Sequence, residues 1–305
     1  MQMKQFSFYV ITLATGFRMA FIVMCVFAVS AQAQLEIPTE VPVTPPKNRA
    51  TQPVPMPTEE IPKATPVQNR IQQEVRLAEG ILFVRIPAGE FLMGSPNSEP
   101  ARAKDESPVS RAVMAKSFWM SKYEVTQGEW TAVMGNNPSK YRYGDEHPVE
   151  NISWEDCQRF IQRLNAVSPR TFRLPTETEW EYACRAGSRT AYCSGNSVSD
   201  LDRCGWYDGN SGTGHHPVGE KEPNYWGLYD MHGNVYEWCQ DYYWENYGNH
   251  PGDASAWEHP NENANRVRRG GSFQQPAKNC RSAFRGTGLP ENQREDVGLR
   301  LVMQE

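Results

Sequence analysis

Between residues 81 and 183 the apolar positions switch from a period near two to a period near 3.6. The run Ile81-Leu82-Phe83-Val84-Arg85-Ile86, stopped by Pro87-Ala88-Gly89, predicts a strand and a turn. Phe91 to Ser95 predicts a second short strand, and the alternating stretch Ala115 to Val125 a third. Helical signals then take over. Thr126, Ser153 and Thr176 are followed three residues later by Glu129, Asp156 and Glu179. A hydroxyl and a carboxylate at that spacing satisfy the bare amides of a first helical turn. Trp130 and Val133 follow the first start. Cys157, Phe160, Ile161 and Leu164 form a stripe after the second, and Trp180, Tyr182 and Ala183 follow the third. Beyond Ala186 the chain predicts long loops broken by apolar pieces, Gly227-Leu228-Tyr229 and Val267 to Phe273. Val297 to Val302 predicts a closing strand. No internal repeat is visible, and loops this long in a compact domain carry a site or need a staple.

The first 75 residues follow other rules. Lys4 and Arg18 are the only charges before the apolar run Met19 to Val29, and Ala31-Gln32-Ala33 supplies a small-x-small cleavage pattern. Residues 1–33 therefore read as a signal peptide; the alternative is an uncleaved membrane anchor. Residues 34–75 hold nine of the 23 prolines and read as a disordered, extended linker. Residues 76–305 are long enough for one domain with a core. Export to the periplasm or the extracellular space is the expectation.

Composition narrows the chemistry. The net charge is −5, with Lys and Arg scattered among acids, which speaks against a nucleic-acid partner. Setting Cys25 aside leaves Cys157, Cys184, Cys193, Cys204, Cys239 and Cys280. An even count in an oxidising compartment predicts disulfides, and Cys193 with Cys204 brackets a short loop they would staple. No Cys-x-x-Cys occurs, and the six His show no two-His-one-carboxylate spacing. Glu177, Glu179 and Glu181 sit at a helix start, where amide dipoles favour acids.

Six blocks, taken in order, are similar to one known family. They are Glu90 to Ser95, Tyr123 to Trp130, Pro148 to Trp154, Arg173 to Cys184, Gly227 to Trp238, and Arg269-Gly270-Gly271-Ser272-Phe273. In order and spacing they resemble the formylglycine-generating enzyme (sulfatase-modifying factor) family over residues 80 to 303. The resemblance implies an α+β fold, C-type-lectin-like, low in regular secondary structure with long ordered loops.

The same resemblance implies where chemistry should reside. Family enzymes oxidise a substrate-protein cysteine to formylglycine with oxygen and copper(I), held by two cysteines five residues apart after the Arg-Gly-Gly-Ser block. Soft thiolates suit copper(I). Here the first position is Gln275 and the second, without gaps, is Cys280, while Ser272 matches an active-site Ser. One thiolate beside an amide does not make that site, so the reading is against copper. A gapped match makes Cys280 a disulfide half, with Cys184 as its partner. A calcium loop is implied at Asp230, Gly233, Val235 and Glu237, the acids giving carboxylates and the other two backbone carbonyls.

The expectation is a binding or accessory module for a protein, peptide or glycan. Its surface would be a groove of Trp206, Tyr207, Trp226, Tyr242, Tyr243, Trp244, Phe273 and Gln275. The alternative is an oxidoreductase making formylglycine through a modified site. Contact with a membrane is expected only if residues 1–33 stay attached.

Overall fold

The computed structural model describes residues 73–77 and 80–304. The signal segment, Cys25 and nearly all of the Pro-rich linker lie outside the described residues. Order takes in Glu74 and Val75 as well, because strand Glu74–Arg76 pairs antiparallel with Leu82–Ile86.

Two sheets and three helices make the centre. One sheet runs Glu74–Arg76, Leu82–Ile86, Phe118–Ser121, Val302–Met303, Phe172–Arg173, antiparallel throughout. Both of its faces are covered, and successive residues divide accordingly. Phe83, Leu301 and Met303 enter an apolar cluster with Trp130, Phe160 and Leu164. Val84, Ile86 and Val302 enter another with Trp180, Ala183 and Met231. The first cluster holds helices α1 (Gln127–Met134) and α2 (Trp154–Val167); the second holds α3 (Glu177–Arg185). A fourth helix, α4 (Val198–Cys204), lies in the stretch that the sequence pattern assigned to loops. All four helices begin with a capping box, at Thr126, Ser153, Thr176 and Ser197.

The second sheet runs Gly286–Gly288, Arg266–Arg269, Tyr236–Tyr242, Val297–Gly298, with the last pair parallel. The expected closing strand is thus two strands in two sheets. Arg300 lies between them, and its buried guanidinium donates to Ser121 O and Tyr229 O. The expected strand Ala115 to Val125 is likewise shorter, Phe118–Ser121, and Ser110–Met114 pairs with Gly89–Met93.

Buried ion pairs lock α3 to the rest. Glu177 accepts from Arg285 at 2.7 and 2.9 Å and from the Tyr247 hydroxyl at 3.0 Å. Glu181 binds Arg185 and Arg269. Glu177 and Glu179 both stand in the first turn as expected, and Glu179 closes the Thr176 box while pairing with Arg173. The three acids are fastened rather than poised for proton transfer. Among the described residues no helix is long and apolar enough to cross a membrane.

Candidate functional site

The loop after strand Arg266–Arg269 carries Ser272, Gln275 and Cys280, the positions at which the resemblance implies an active site. Gly270 and Gly271 take positive φ, 98° and 77°. At Gly271 a Cβ would stand 2.5 Å from Cys280 Sγ, so glycine allows the turn Ala277–Cys280 to pack beneath. Ser272 Oγ donates to Asp296 at 2.9 Å and both are buried. Gln275 is tied down by Asn279, whose amide donates to its Oε1 at 2.9 Å. Cys280 is fully buried, and that burial pushes its thiol well up, against a backbone amide bond from Ser272. The loop therefore presents an amide and a neutral, enclosed thiol where a copper couple needs two thiolates.

The rings of the predicted groove divide among several packing partners. Trp226 packs on Tyr182 at 4.7 Å between ring centres. Tyr242 stacks with the Arg266 guanidinium at 3.4 Å, and Trp244 pairs with Trp257 at 5.3 Å. Tyr243 bonds Asp105. Trp206 lies flat on His216 at 3.6 Å with Lys221 Nζ over its ring at 3.8 Å. Tyr207 is buried and bonds Asp202. Arginine stacking and buried hydroxyl partners make most of these rings structural.

Phe273 instead joins a wall that sequence reasoning missed. It meets Tyr141 edge-on at 5.6 Å and His215 at 5.8 Å, and Tyr143 packs on His215 at 5.5 Å. Tyr143 is 52% exposed, so the wall opens to solvent there. Behind it, His147 Nδ1 meets His215 Nδ1 at 3.0 Å. Burial, followed by the neighbouring His215 and His216, lowers His147 to about 4. Glu150 is buried 3.9 Å from His215 Nε2, with its Oε2 and that Nε2 lacking partners. The histidines are 68 positions apart, so no local spacing could have revealed them. They face each other through the same ring atom.

At the calcium loop the geometry divides. Asp230 accepts from the Gly219 amide through Oδ2, and its Oδ1 is buried without a partner. Glu237 is engaged on both oxygens by Arg300, at 2.6 and 2.7 Å, and by Trp180 Nε1. Glu124, missed in the sequence, bonds Asn234 and the Val235 amide. Burial, then Asp230 and Glu237, raise Glu124 well above the carboxylate range. Glu237 already has a cation, and these four residues as arranged do not fit a calcium cage.

The cysteines correct a second expectation. All six described cysteines are free and buried, so neither the Cys193–Cys204 staple nor the Cys184–Cys280 bridge is formed. His232 stands among them: its Nδ1 bonds Cys280 O at 2.8 Å and its Nε2 lies 3.7 Å from Cys184 Sγ. Cys193, Cys204 and His232 bring one donor atom each within 4.8 Å of one another. The hydrogen bond from Cys193 lowers Cys204 to about 6, with His232 and Ser194 adding. The same contact and burial push Cys193 far up.

Residues 68–305 match the family model of the sulfatase-modifying factor enzyme 1-like domain. The chain is 30% identical to the chaperone protein LppX of Paenibacillus barcinonensis, over 66% of this chain and 85% of that protein. It is 27% identical to the formylglycine-generating enzyme of Streptomyces coelicolor, over 71% of this chain and 87% of the enzyme. The serine/threonine-protein kinase pkn1 of Chlamydia pneumoniae is 28% identical over 72% of this chain, which spans only 37% of the kinase. Among solved structures, PvdO from Pseudomonas aeruginosa superposes with a TM-score of 0.72 at 27% identity, covering 78% of this chain and all of PvdO.

Proposed function

This chain belongs to the formylglycine-generating (sulfatase-modifying factor) family, with its C-type-lectin-like α+β fold, and from that premise we propose that it is an exported polypeptide-binding accessory module rather than a cysteine oxidase. One observation carries the reading: Gln275, fixed by Asn279, fills the place of the first copper-binding cysteine, while Cys280 is enclosed. A fold shared by many activities does not supply the missing sulfur.

What remains at that end of the domain is the wall of Tyr141, Tyr143 and Phe273 beside exposed Gln274. Aromatic rings with polar edges suit extended peptide segments. The relative named as a chaperone is in keeping with such a role. The test uses two probes on the secreted protein. Reduced carboxymethylated α-lactalbumin should bind, and Tyr143→Ala should weaken binding about tenfold, as for an interface anchor. A cysteine peptide of sulfatase type, incubated with copper and oxygen, should yield no aldehyde above a protein-free control. The formylglycine-generating relatives favour the second reading, an oxidase with a modified site, and aldehyde formation on that peptide would establish it.

A further inference from the structure

We propose that Cys193, Cys204 and His232 form a buried site for a thiophilic d10 cation, zinc(II) or copper(I). The site uses none of Gln275, Asp230, Gly233, Val235 or Glu237 as a ligand, although His232 lies in the same segment as the last four and bonds Cys280 O.

The fold builds it from three separate elements. Cys204 ends α4, Cys193 lies in the loop after α3, and His232 opens strand His232–Gly233. That strand pairs in parallel with Gly205–Trp206, placing Gly205 opposite His232. A Cβ on Gly205 would stand 1.9 Å from His232 O, so the approach that brings Cys204 to His232 depends on glycine.

The donors are chemically matched. Two sulfurs and one imidazole nitrogen are the soft and borderline ligands that d10 ions select. Cys193, Cys204 and His232 are 6%, 3% and 1% exposed, so water does not compete. The outer contacts are those of a ligating histidine: Nδ1–H donates to Cys280 O, which leaves the Nε2 lone pair on the thiol side. In the metal-free state Nε2 accepts the Cys193 amide at 2.9 Å, one neutral hydrogen bond to be exchanged for a metal bond. Ser194 Oγ, 3.3 Å from Cys204 Sγ, supports a thiolate there. Cys184 Sγ, 3.7 Å from Nε2, is the nearest further sulfur for an ion that wants four ligands.

The experiment is an anaerobic titration of the reduced, chelator-stripped full chain with zinc(II) and, separately, copper(I), each against a chromophoric chelator. One equivalent of either ion should bind, with affinity lost more than about 100-fold in Cys204→Ser and in His232→Gln, and kept in Cys157→Ser. Cys184→Ser separates the ions: zinc weakens if Cys184 is the fourth ligand, and three-coordinate copper(I) does not. X-ray absorption on the loaded wild type, independent of any variant's folding, should show sulfur near about 2.3 Å together with imidazole. A shell of oxygen alone, uptake unchanged by Cys204→Ser, or a Cys193–Cys204 disulfide that after reduction takes up neither ion would overturn the proposal.

Discussion

Arg300 grips Glu237 with two prongs, Nε to Oε2 at 2.6 Å and Nη2 to Oε1 at 2.7 Å, and neither side chain reaches solvent. The same guanidinium donates to Ser121 O in the first sheet and to Tyr229 O in the preceding loop. Its charge also acts on two further buried acids, Glu124 and Asp230. Arg300→Met should therefore destabilise the domain by about 3–5 kcal/mol, the range for an abandoned buried charge. Urea denaturation measures it. Adding Glu237→Gln should recover part of the loss, and a loss no larger than that of a surface change would show that the pair is not what holds these elements.

Because Glu237 is taken, calcium has little to hold here. A tightly bound ion at about 100 times its Kd would add about 2.7 kcal/mol, a rise of roughly 5–10 °C in a domain of this size. We expect millimolar calcium, against a chelator, to move the unfolding temperature by less than about 2 °C. A rise in the larger range would mean that Glu237 leaves Arg300 for the ion.

Stability should fall as pH rises through the weakly acidic range. Burial pushes Asp230 up to about 6 and Asp241 up to about 7, from an ordinary value of 3.8. The folded state therefore holds protons that the unfolded chain has released, and their contribution is complete below pH 4 and lost between about 4 and 7. Glu106 and Glu177 act in the opposite sense. Burial raises them, but Arg281 and Arg285 outweigh it and hold them low, so their contribution is lost on strong acidification. Denaturation midpoints at pH 5 and pH 8 test the first effect. Asp230→Asn keeps an acceptor for Gly219 and should flatten the slope between about 4 and 6, by up to roughly 3 kcal/mol.

Gly271→Ala should cost about 1–3 kcal/mol from its positive φ alone, and more from contact with Cys280 Sγ and Asn279 O. Thermal unfolding gives the loss. A neutral result would mean that the turn Ala277–Cys280 shifts freely, and that Cys280 is less enclosed than the packing implies.

Legibility was greatest where the physics is local. Thr126, Ser153 and Thr176 each satisfy amides within their own first turn, so hydroxyl and carboxylate three apart placed three helices correctly. Ser197 and Asp200 use the same device, but the seven residues of α4 span under two turns, too short for a helical period to stand out from the surrounding loops. The ion pairs of Glu177 and Glu181 were not legible, because their arginine partners, Arg285 and Arg269, lie about 90 to 110 residues away.

By itself, the order of the six blocks determined the family and the α+β class, and it put Gln275 where the resemblance implies a cysteine. Tertiary structure alone decided that Glu237 is claimed by Arg300, that Phe273 joins Tyr141 and His215, and that Cys193, Cys204 and His232 meet. Those contacts depend on how distant segments cross once two sheets and α3 have packed, and residue spacing along the chain carries no record of such crossings.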